Sequence, residues 1–185
     1  MSKKILVLTG SPRQLGNSAL LADAFIQGVK AAGHSAQVFE TAFHPVLPCK
    51  ACDKCWSDEK PCIFKDDFSD KLAPMLEEAD VLAFCTPLYW FNMSAQLKAA
   101  VDKLYSYMKP NAKRKLKIKE CVLLCAAEGT EQDGDFDGLK ATYKSIAGYL
   151  KWTDRGMVLA GKTWDPGEII NTGKLKEALE LGKTI

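Results

Sequence analysis

The sequence contains no apolar run that approaches the roughly 18 consecutive residues of a membrane-spanning helix. It also contains no internal repeat, no low-complexity tract and no glycine-, serine- or proline-rich run that would mark a linker. The formal net charge of +2 is too small to indicate a nucleic-acid or membrane-surface partner. We therefore expect a single globular domain over residues 1–185 that binds neither nucleic acid nor a membrane.

The N-terminus lacks the features of a secretory signal peptide. The apolar segment from Ile5 to Leu8 is too short for one, and no cleavage site of small residues follows it. This absence predicts a cytoplasmic location. A content of 47% hydrophobic and 26% charged residues is typical of a folded chain rather than a disordered one.

Strand and helix signals alternate along the chain. The run from Lys4 to Thr9 is almost entirely apolar, which is typical of a strand buried on both faces of a sheet. Asn17 and Ser94 are predicted helix caps. Strands are predicted over residues 4–9, 36–40, 80–85, 120–126 and 156–160, with helices after 17, over 66–79, after 94, over 135–151 and over 173–181. This alternation predicts an α/β fold with a parallel sheet between two helical layers.

In such a sheet, ligands bind beyond the carboxyl ends of the strands, at the point where the strand order reverses. For the order 2-1-3-4-5, this point lies between the first and third strands. Two informative segments, 10–18 and 86–92, follow these two strands. The segment 126–130, after the fourth strand, is their expected neighbour.

The segment 10–18 (GSPRQLGNS) follows the first strand and opens the first helix. Five residues separate its two glycines and no lysine follows, so it is neither a Walker loop nor a Gly-x-Gly-x-x-Gly dinucleotide fingerprint. The N–H groups at the start of a helix favour a phosphate. Ser11, Asn17 and Ser18 offer further donors, and Arg13 offers a charged partner. The segment predicts a phosphate site, although an ordinary capped turn with a surface arginine has the same composition.

The segment 86–92 (TPLYWFN) places three aromatic residues in a row in a predicted loop. The faces of Tyr89, Trp90 and Phe91 suit stacking on a flat heterocycle. Backbone amides after Pro87 and the side chain of Asn92 are placed to bond the polar edge of such a ring. A loop packed into the core or into an oligomer interface is the alternative. A phosphate site beside a ring platform predicts a flavin mononucleotide (FMN) site.

These segments resemble those of the NADPH-dependent FMN reductases of the flavodoxin-like superfamily, close to the multimeric flavodoxin-type oxidoreductases. The resemblance rests on GSPRxxGNS at 10–18, TPLYW at 86–90, SAQLK at 94–98 followed by Asp102, and KDDF at 65–68. It implies a flavodoxin-like three-layer sandwich with strand order 2-1-3-4-5, non-covalently bound FMN, and homodimers or homotetramers. It also implies electron transfer from NADH or NADPH, through FMN, to a small acceptor such as a quinone or a free flavin.

The resemblance also implies which residues form the site. Ser11, Arg13, Asn17 and Ser18 would hold the phosphate; Pro87, Leu88, Tyr89, Trp90, Phe91 and Asn92 would hold the ring; and Ala127, Glu128 and Gly129 would line its other edge. Because the flavin carries the chemistry, no side chain is assigned a catalytic role.

Four of the seven cysteines, Cys49, Cys52, Cys55 and Cys62, lie in a cysteine-rich insertion at about 41–65. Their spacing, C-x2-C-x2-C-x6-C, is typical of thiolates that share an iron–sulfur cluster or zinc. A ferredoxin segment would place the fourth cysteine after three residues and before proline, whereas here the gap is six and Ile63 follows. A reduced loop without metal is the remaining interpretation.

The cysteine loop resembles that of iron–sulfur flavoproteins, in which a [4Fe–4S] cluster passes electrons to FMN. The leading interpretation is an FMN-dependent NAD(P)H oxidoreductase, and the alternative is an iron–sulfur flavoprotein that takes electrons from ferredoxin. A metal-binding interaction module is a third class. Cys85, Cys121 and Cys125 lie in predicted strands and are expected to be buried apolar side chains.

Overall fold

Five parallel strands form one sheet in the computed structural model, which describes residues 2–56, 60–109 and 113–185. The strands are β1 (Lys4–Thr9), β2 (Ser35–Glu40), β3 (Val81–Pro87), β4 (Glu120–Ala126) and β5 (Thr153–Ala160). Their order is β2-β1-β3-β4-β5, and every neighbouring pair is parallel. The predicted strand order is therefore confirmed.

Helices cover both faces of this sheet. They are α1 (Asn17–Ala31), α2 (Ala73–Glu78), α3 (Ala95–Asp102), α4 (Asp137–Leu150) and α5 (Lys174–Lys183). Short 3-10 helices occupy Lys54–Trp56, Lys103–Tyr107 and Glu168–Asn171, and a π-helix occupies Phe68–Leu72. Among the described residues, no helix combines the length and the apolar character needed to cross a membrane.

The two faces of the sheet carry separate apolar cores because side chains alternate along a strand. Leu6 and Leu8 of β1 pack with the buried residues of α2, α3 and α4. Ile5 and Val7 pack on the opposite face, against α1 and α5. The sheet thus separates α1 and α5 from the other three helices.

Helices α1 and α5 approach each other at two glycines. A Cβ at Gly28 would stand 2.0 Å from the carbonyl oxygen of Leu179, and a Cβ at Gly182 would stand 2.2 Å from that of Phe25. Only glycine leaves room for backbones at this separation. The close contact fixes α5, and the loop that precedes it, against the helix that opens the candidate site.

The predicted helix over 66–79 is irregular. Its first part is the π-helix, in which the N–H of Ala73 donates to the carbonyl of Phe68. Pro74 lies in the first turn of α2, a position where proline is tolerated. The change from π-helix to α-helix thus falls next to Pro74, where the sequence predicts a kink.

Candidate functional site

A cavity of about 1010 Å³ opens at the carboxyl ends of β1, β3, β4 and β5. Four loops line it: the segments after β1, β3, β4 and β5. The lining residues are Ser11, Arg13, Gly16, Asn17, Ser18, Pro87, Leu88, Tyr89, Trp90, Phe91, Ala126, Ala127, Glu128, Gly129, Thr130, Asp133, Asp135, Lys162, Thr163, Trp164 and Pro166. The structure therefore brings together the residues predicted for the FMN site with one exception, Asn92.

The loop after β1 is a tight turn stabilised by its own polar groups. The N–H of Gly10 donates to the carbonyl of Cys85 on β3 at 2.8 Å, which fixes the start of the loop on the sheet. The hydroxyl of Ser11 accepts the N–H of Arg13 at 3.0 Å and lies 3.1 Å from the Arg13 carbonyl oxygen. This turn presents the exposed Arg13 side chain at the cavity wall.

The N-terminus of α1 opens into this cavity without a side-chain cap. Gly16 is the N-cap residue and no side chain accepts a hydrogen bond from the first turn. The first N–H groups of a helix have no partner within the helix, and the helix dipole adds partial positive charge there. Asn17 and Ser18, both in the cavity wall, therefore offer backbone donors to an anion.

The prediction that Asn17 caps α1 was wrong by one residue, because Asn17 is the first helical residue. Its side chain bonds the loop after β5 instead. The amide nitrogen Nδ2 donates to the carbonyls of Thr163 and Asp165, and Oδ1 accepts the N–H groups of Gly167 and Ile169. The side chain thus has no donor left for a phosphate, so only the backbone of Asn17 can serve that role.

The aromatic segment after β3 forms a two-residue turn. Tyr89 and Asn92 exchange two backbone hydrogen bonds of 2.9 and 3.1 Å. Between them, Trp90 and Phe91 both have left-handed backbone angles, with φ of +47° and +63°. This arrangement is typical of a type I′ turn, which normally contains Gly or Asn because other residues are strained there.

The turn holds its aromatic side chains in the open. Trp90 is 93% exposed, and Tyr89 and Phe91 are partly exposed. All three line the cavity. Large apolar side chains that are kept out of the core at the mouth of a cavity are typical of a binding surface. The aromatic segment thus forms an exposed surface in the same cavity as the loop after β1.

Asn92 does not line the cavity with its neighbours. Its Nδ2 donates to the hydroxyl of Thr142 on α4 at 2.9 Å, and its Oδ1 accepts the N–H of Met93. The predicted contact between Asn92 and the ring edge is therefore not supported by this geometry. Asn92 instead fastens the aromatic turn to α4.

The loop after β5 forms a wall that was not predicted from the sequence. Lys162, Thr163, Trp164 and Pro166 all line the cavity. The sequence does contain a signal for this wall. Trp164 lies in the loop that follows the predicted fifth strand, just as the aromatic segment follows β3, so the same reasoning would have identified it.

The charges around the cavity are mixed. Arg13 and Lys162 are the cations of the described wall, and Glu128, Asp133 and Asp135 are its acids. The two aspartates are occupied within their own loop. Asp135 accepts the N–H of Thr130 at 2.8 Å, and Asp133 accepts the Thr130 hydroxyl at 2.6 Å. Arg13, in the loop that leads into α1, is the cation nearest to the helix N-terminus in sequence. It is therefore the side chain best placed to pair with an anion bound there.

The four cysteines of the insertion line a second, much smaller cavity of about 30 Å³. Cys49 and Cys52 are exposed, whereas Cys55 and Cys62 are half-buried. Burial, followed by the negative charge of nearby Cys49, raises the pKa of the Cys55 thiol. The hydroxyl of Ser106, on the wall of this cavity, is buried and has no hydrogen-bond partner among the described residues.

The donor set fits an iron–sulfur cluster, but its arrangement does not. Four thiolates are the ligands that such clusters use. Across the described residues, however, no group of three or more His, Cys, Asp or Glu side chains is placed around one metal position. A volume of about 30 Å³ is sufficient for roughly two water molecules. Residues 57–59 of the insertion lie outside the described part of the chain.

The remaining cysteines are buried, as predicted. Cys85, Cys121 and Cys125 are at most 1% exposed. Burial raises the pKa of the Cys121 thiol to about 11 and the pKa of the Cys85 and Cys125 thiols further. These thiols therefore remain protonated at neutral pH and pack as small apolar side chains.

Comparison with known proteins adds independent information on this architecture. A family model described as a flavodoxin-like fold matches residues 3–180. An iron–sulfur flavoprotein of Methanosarcina thermophila is 28% identical, and the match covers 96% of both chains. A Bacillus subtilis protein, whose name describes an NAD(P)H-dependent FMN-containing oxidoreductase, is 26% identical over 90% of this chain and 89% of its own.

A solved structure has the same fold. The NAD(P)H:quinone oxidoreductase from Methanothermobacter marburgensis matches with a TM-score of 0.77 and 21% identity, covering 100% of this chain and 97% of its own. At this identity the likeness establishes the fold alone. It agrees with the strand order observed here.

Proposed function

Since the chain belongs to the family with the flavodoxin-like fold, we propose that it is an FMN-dependent oxidoreductase that takes electrons from NADH or NADPH. The observation that carries the proposal is the shared cavity, in which an uncapped helix N-terminus faces the same space as an exposed aromatic turn. The name of the Bacillus subtilis relative supports it.

One end of the cavity suits the phosphate of FMN. The backbone N–H groups of Asn17 and Ser18 would bind the phosphate oxygens, because they have no partner within the helix. Arg13 would add a charged hydrogen bond from the preceding turn. Ser11 shapes that turn and lines the same wall.

The other end suits the isoalloxazine ring. Tyr89, Trp90 and Phe91 present aromatic faces that favour stacking on a planar ring. The backbone from Pro87 to Leu88 and the segment 127–129 would hold the ring from the two neighbouring strand ends. The rigid turn keeps the aromatic residues in place before the cofactor binds, which lowers the entropy cost of binding.

The bound FMN would supply the redox chemistry, in which a hydride is taken from the reduced nicotinamide and two electrons are passed on to the acceptor. The chain's own residues bind and orient the partners, and no side chain is required as a general base. The aromatic turn is exposed at the cavity wall, so we propose a small, flat, conjugated acceptor such as a quinone or a flavin. We also propose one cytoplasmic domain over residues 1–185 that assembles into homodimers or homotetramers.

Titration of the cofactor-free protein with FMN and with riboflavin tests the phosphate site. Riboflavin lacks the phosphate, so tight binding of FMN and weak binding of riboflavin are expected. Arg13→Ala should weaken FMN binding by roughly ten- to hundredfold, the loss of one charged hydrogen bond, and leave riboflavin binding unchanged. Lys30→Ala, at the opposite end of α1, is the control and should change neither. Equal affinity of the wild type for both flavins would contradict the proposal.

A second candidate function is an iron–sulfur flavoprotein that takes electrons from ferredoxin. The observation that favours it is that Cys49, Cys52, Cys55 and Cys62 line one cavity. The relative from Methanosarcina thermophila carries that name. Because the described arrangement does not surround one metal position, this function requires the cysteine loop to rearrange around a cluster.

Anaerobic purification followed by iron and sulfide assays tests the second candidate. Four irons and four sulfides per chain, lost together in the variant Cys55→Ser, would support a [4Fe–4S] cluster. Cys121→Ser is the matched control, because Cys121 is buried in β4 away from the loop. Protein that is purified and reconstituted without oxygen, yet contains no iron, would exclude this function.

A further inference from the structure

The loop after β5 holds a tryptophan in the open. Trp164 is 66% exposed, and its indole lines the large cavity. The residues on either side of it are fixed, so its exposure does not reflect a loose loop. A large aromatic side chain held exposed at a cavity wall is not explained by core packing.

Asn17 fixes the backbone on both sides of this tryptophan. Its Nδ2 donates to the carbonyl of Thr163 at 3.1 Å and to the carbonyl of Asp165 at 2.8 Å. These are the residues that precede and follow Trp164. Asn17 is 8% exposed, so its hydrogen bonds have little competition from water. The Asn17 amide thus fixes the backbone on both sides of Trp164, and with it the position of the Trp164 Cα atom.

The other half of the same amide holds the rest of the loop. Oδ1 of Asn17 accepts the N–H of Gly167 at 2.9 Å and the N–H of Ile169 at 3.3 Å. With both donors and both acceptor positions used, the side chain is fully satisfied. One residue at the start of α1 therefore connects the candidate phosphate site to the loop that carries Trp164.

The start of the loop is attached to the segment that follows β4 as well. The N–H and the hydroxyl of Thr163 both donate to the carbonyl of Ala127, at 2.9 and 3.0 Å. The N–H of Lys162 donates to the carbonyl of Glu128 at 3.0 Å. Trp164 is thus held from the α1 side and from the β4 side, which makes it a rigid wall rather than a mobile lid.

The cavity is large for a ligand pocket. Its volume of about 1010 Å³ lies at the upper end of the roughly 300–1,000 Å³ typical for a single drug-sized molecule. The FMN placement proposed above, with the phosphate at the start of α1 and the ring at the aromatic turn, assigns no contact to Lys162, Trp164 or Pro166. These residues therefore form the part of the wall left for a second ligand.

Building on the proposed function, we propose that Trp164 contacts the flat, conjugated ring that exchanges electrons with the flavin, and that Asn17 is the positioning residue that holds Trp164 there. The indole face provides stacking area for a flat ring. Two molecules share this chemistry: the nicotinamide donor and a quinone acceptor. The experiment separates them.

Kinetics of the FMN-loaded protein, with NADPH and a benzoquinone varied in turn, test the contact. Trp164→Ala should raise the KM for one of the two by roughly three- to tenfold with little change in kcat, since one aromatic contact is lost. Trp164→Phe keeps a flat ring and should restore most of the affinity. Ile170→Ala is the control, because Ile170 is 65% exposed in the same segment but does not line the cavity.

Equilibrium binding gives a readout that does not depend on turnover. If the donor is the partner, Trp164→Ala weakens calorimetric binding of NADP⁺ to the FMN-loaded protein by a similar factor. If the quinone is the partner, NADP⁺ binding stays unchanged and the KM for the quinone rises. In both cases the dissociation constant of FMN stays within about twofold of wild type.

Hydrogen exchange of the cofactor-free protein tests the role of Asn17. Asn17→Ala should make the amides of Gly167 and Ile169 exchange faster, because it removes the oxygen that accepts their hydrogen bonds. Asn17→Asp retains an acceptor oxygen, so these two amides should stay protected from exchange. Both variants lose the donors that bracket Trp164, so both should raise the same KM as Trp164→Ala. Added to Trp164→Ala, Asn17→Ala should have little further effect on that KM, because Asn17 acts through the tryptophan.

The proposal is overturned if Trp164→Ala leaves both KM values and NADP⁺ binding within twofold of wild type. It is equally overturned if that variant changes only the dissociation constant of FMN, because the indole would then contact the cofactor itself. Failure of the proposed function is seen separately, as wild-type protein that does not bind FMN before any variant is compared.

Discussion

The carbonyl oxygen of Phe91 lies directly against Gly138 of α4, so that a Cβ at position 138 would stand 2.7 Å from it. Two elements that are far apart in the chain therefore meet with no space for a methyl group. The hydrogen bond from Asn92 to Thr142 holds the same two elements together. Helix α4 thus acts as the support of the strained aromatic turn.

Gly138→Ala should displace the aromatic turn and weaken FMN binding. The added methyl group forces the Phe91 carbonyl away, which moves the neighbouring indole of Trp90 as well. We expect FMN affinity to fall by at least about threefold, the loss of one aromatic contact. Fluorescence titration of the cofactor-free protein measures it.

Gly148→Ala in the same helix is the matched control, because nothing lies within 4 Å of a Cβ at that position. This variant should leave FMN affinity unchanged and stabilise the protein by roughly 0.5–1 kcal/mol, as expected for an exposed helical glycine. Equal affinities for the two alanine variants would show that α4 does not position the turn.

Trp90→Gly should stabilise the cofactor-free protein while weakening FMN binding. Glycine adopts the left-handed angle without strain, which at a non-glycine residue costs about 1–3 kcal/mol. The 93% exposed indole contributes little packing to lose. We expect the free energy of unfolding, measured in urea, to rise by about 1 kcal/mol.

Trp90→Ala separates the effect of losing the indole from the effect of relieving the backbone strain. It removes the same indole but keeps a Cβ at the strained position, so it should lose FMN affinity to a similar degree without the gain in stability. A lower unfolding free energy for Trp90→Gly than for the wild type would mean that the indole packs on the turn and supports it.

Lys103→Met should destabilise the fold strongly. The side chains of Lys103 and Asp66 are 3% and 2% exposed and form an ion pair beneath the cysteine loop. Removing the ammonium leaves the carboxylate buried without its counter-charge, which typically costs about 3–5 kcal/mol. Urea unfolding measures the loss.

Lys98→Met is the control for this substitution. Lys98 pairs with Asp102 on the surface of α3, where both side chains are more than 40% exposed. Exposed pairs of this kind contribute less than about 1 kcal/mol. Similar losses of stability in the two variants would contradict the special role of the buried pair.

Thiol labelling should distinguish exposed cysteines of the insertion from the buried cysteines of the strands. At pH 8, an alkylating reagent should modify exposed Cys49 and Cys52 first and Cys55 more slowly, because burial and the charge of Cys49 raise the pKa of the Cys55 thiol. Cys121, whose pKa is raised to about 11, should react only after unfolding. Mass spectrometry of the labelled peptides assigns each site.

The same experiment examines the buried strands. Cys85 and Cys125 are also fully buried and should resist labelling in the native protein. Complete labelling in urea provides the control for reagent and reaction time. Rapid modification of Cys121 in the native protein would show that the sheet opens at β4 on the timescale of labelling.

The central strands could be predicted from the sequence because they are buried on both faces and therefore read as apolar runs. The bounds of β1 and β4 match the predicted residues. The predicted start of β5 was three residues late. β5 is an edge strand, and its first residues, Thr153 and Asp154, are exposed polar side chains that give no strand signal.

The candidate site was predictable where it depends on local sequence. The tight loop after β1 and the aromatic turn after β3 can each be recognised from a few consecutive residues. The roles of Asn17 and Asn92 were not predictable, because their partners lie far away along the chain, at Thr163 and at Thr142. Such side chains can equally bind a ligand or another loop, and only the fold decides.

The absorbance spectrum of the protein, saturated with FMN and then mixed with NADPH or NADH without oxygen, tests the central claim most directly. The account predicts that FMN co-elutes with the protein and that its visible absorption band bleaches rapidly on mixing and returns when a quinone is added. Protein that remains colourless after incubation with FMN, or bound flavin that neither dinucleotide bleaches, would contradict it.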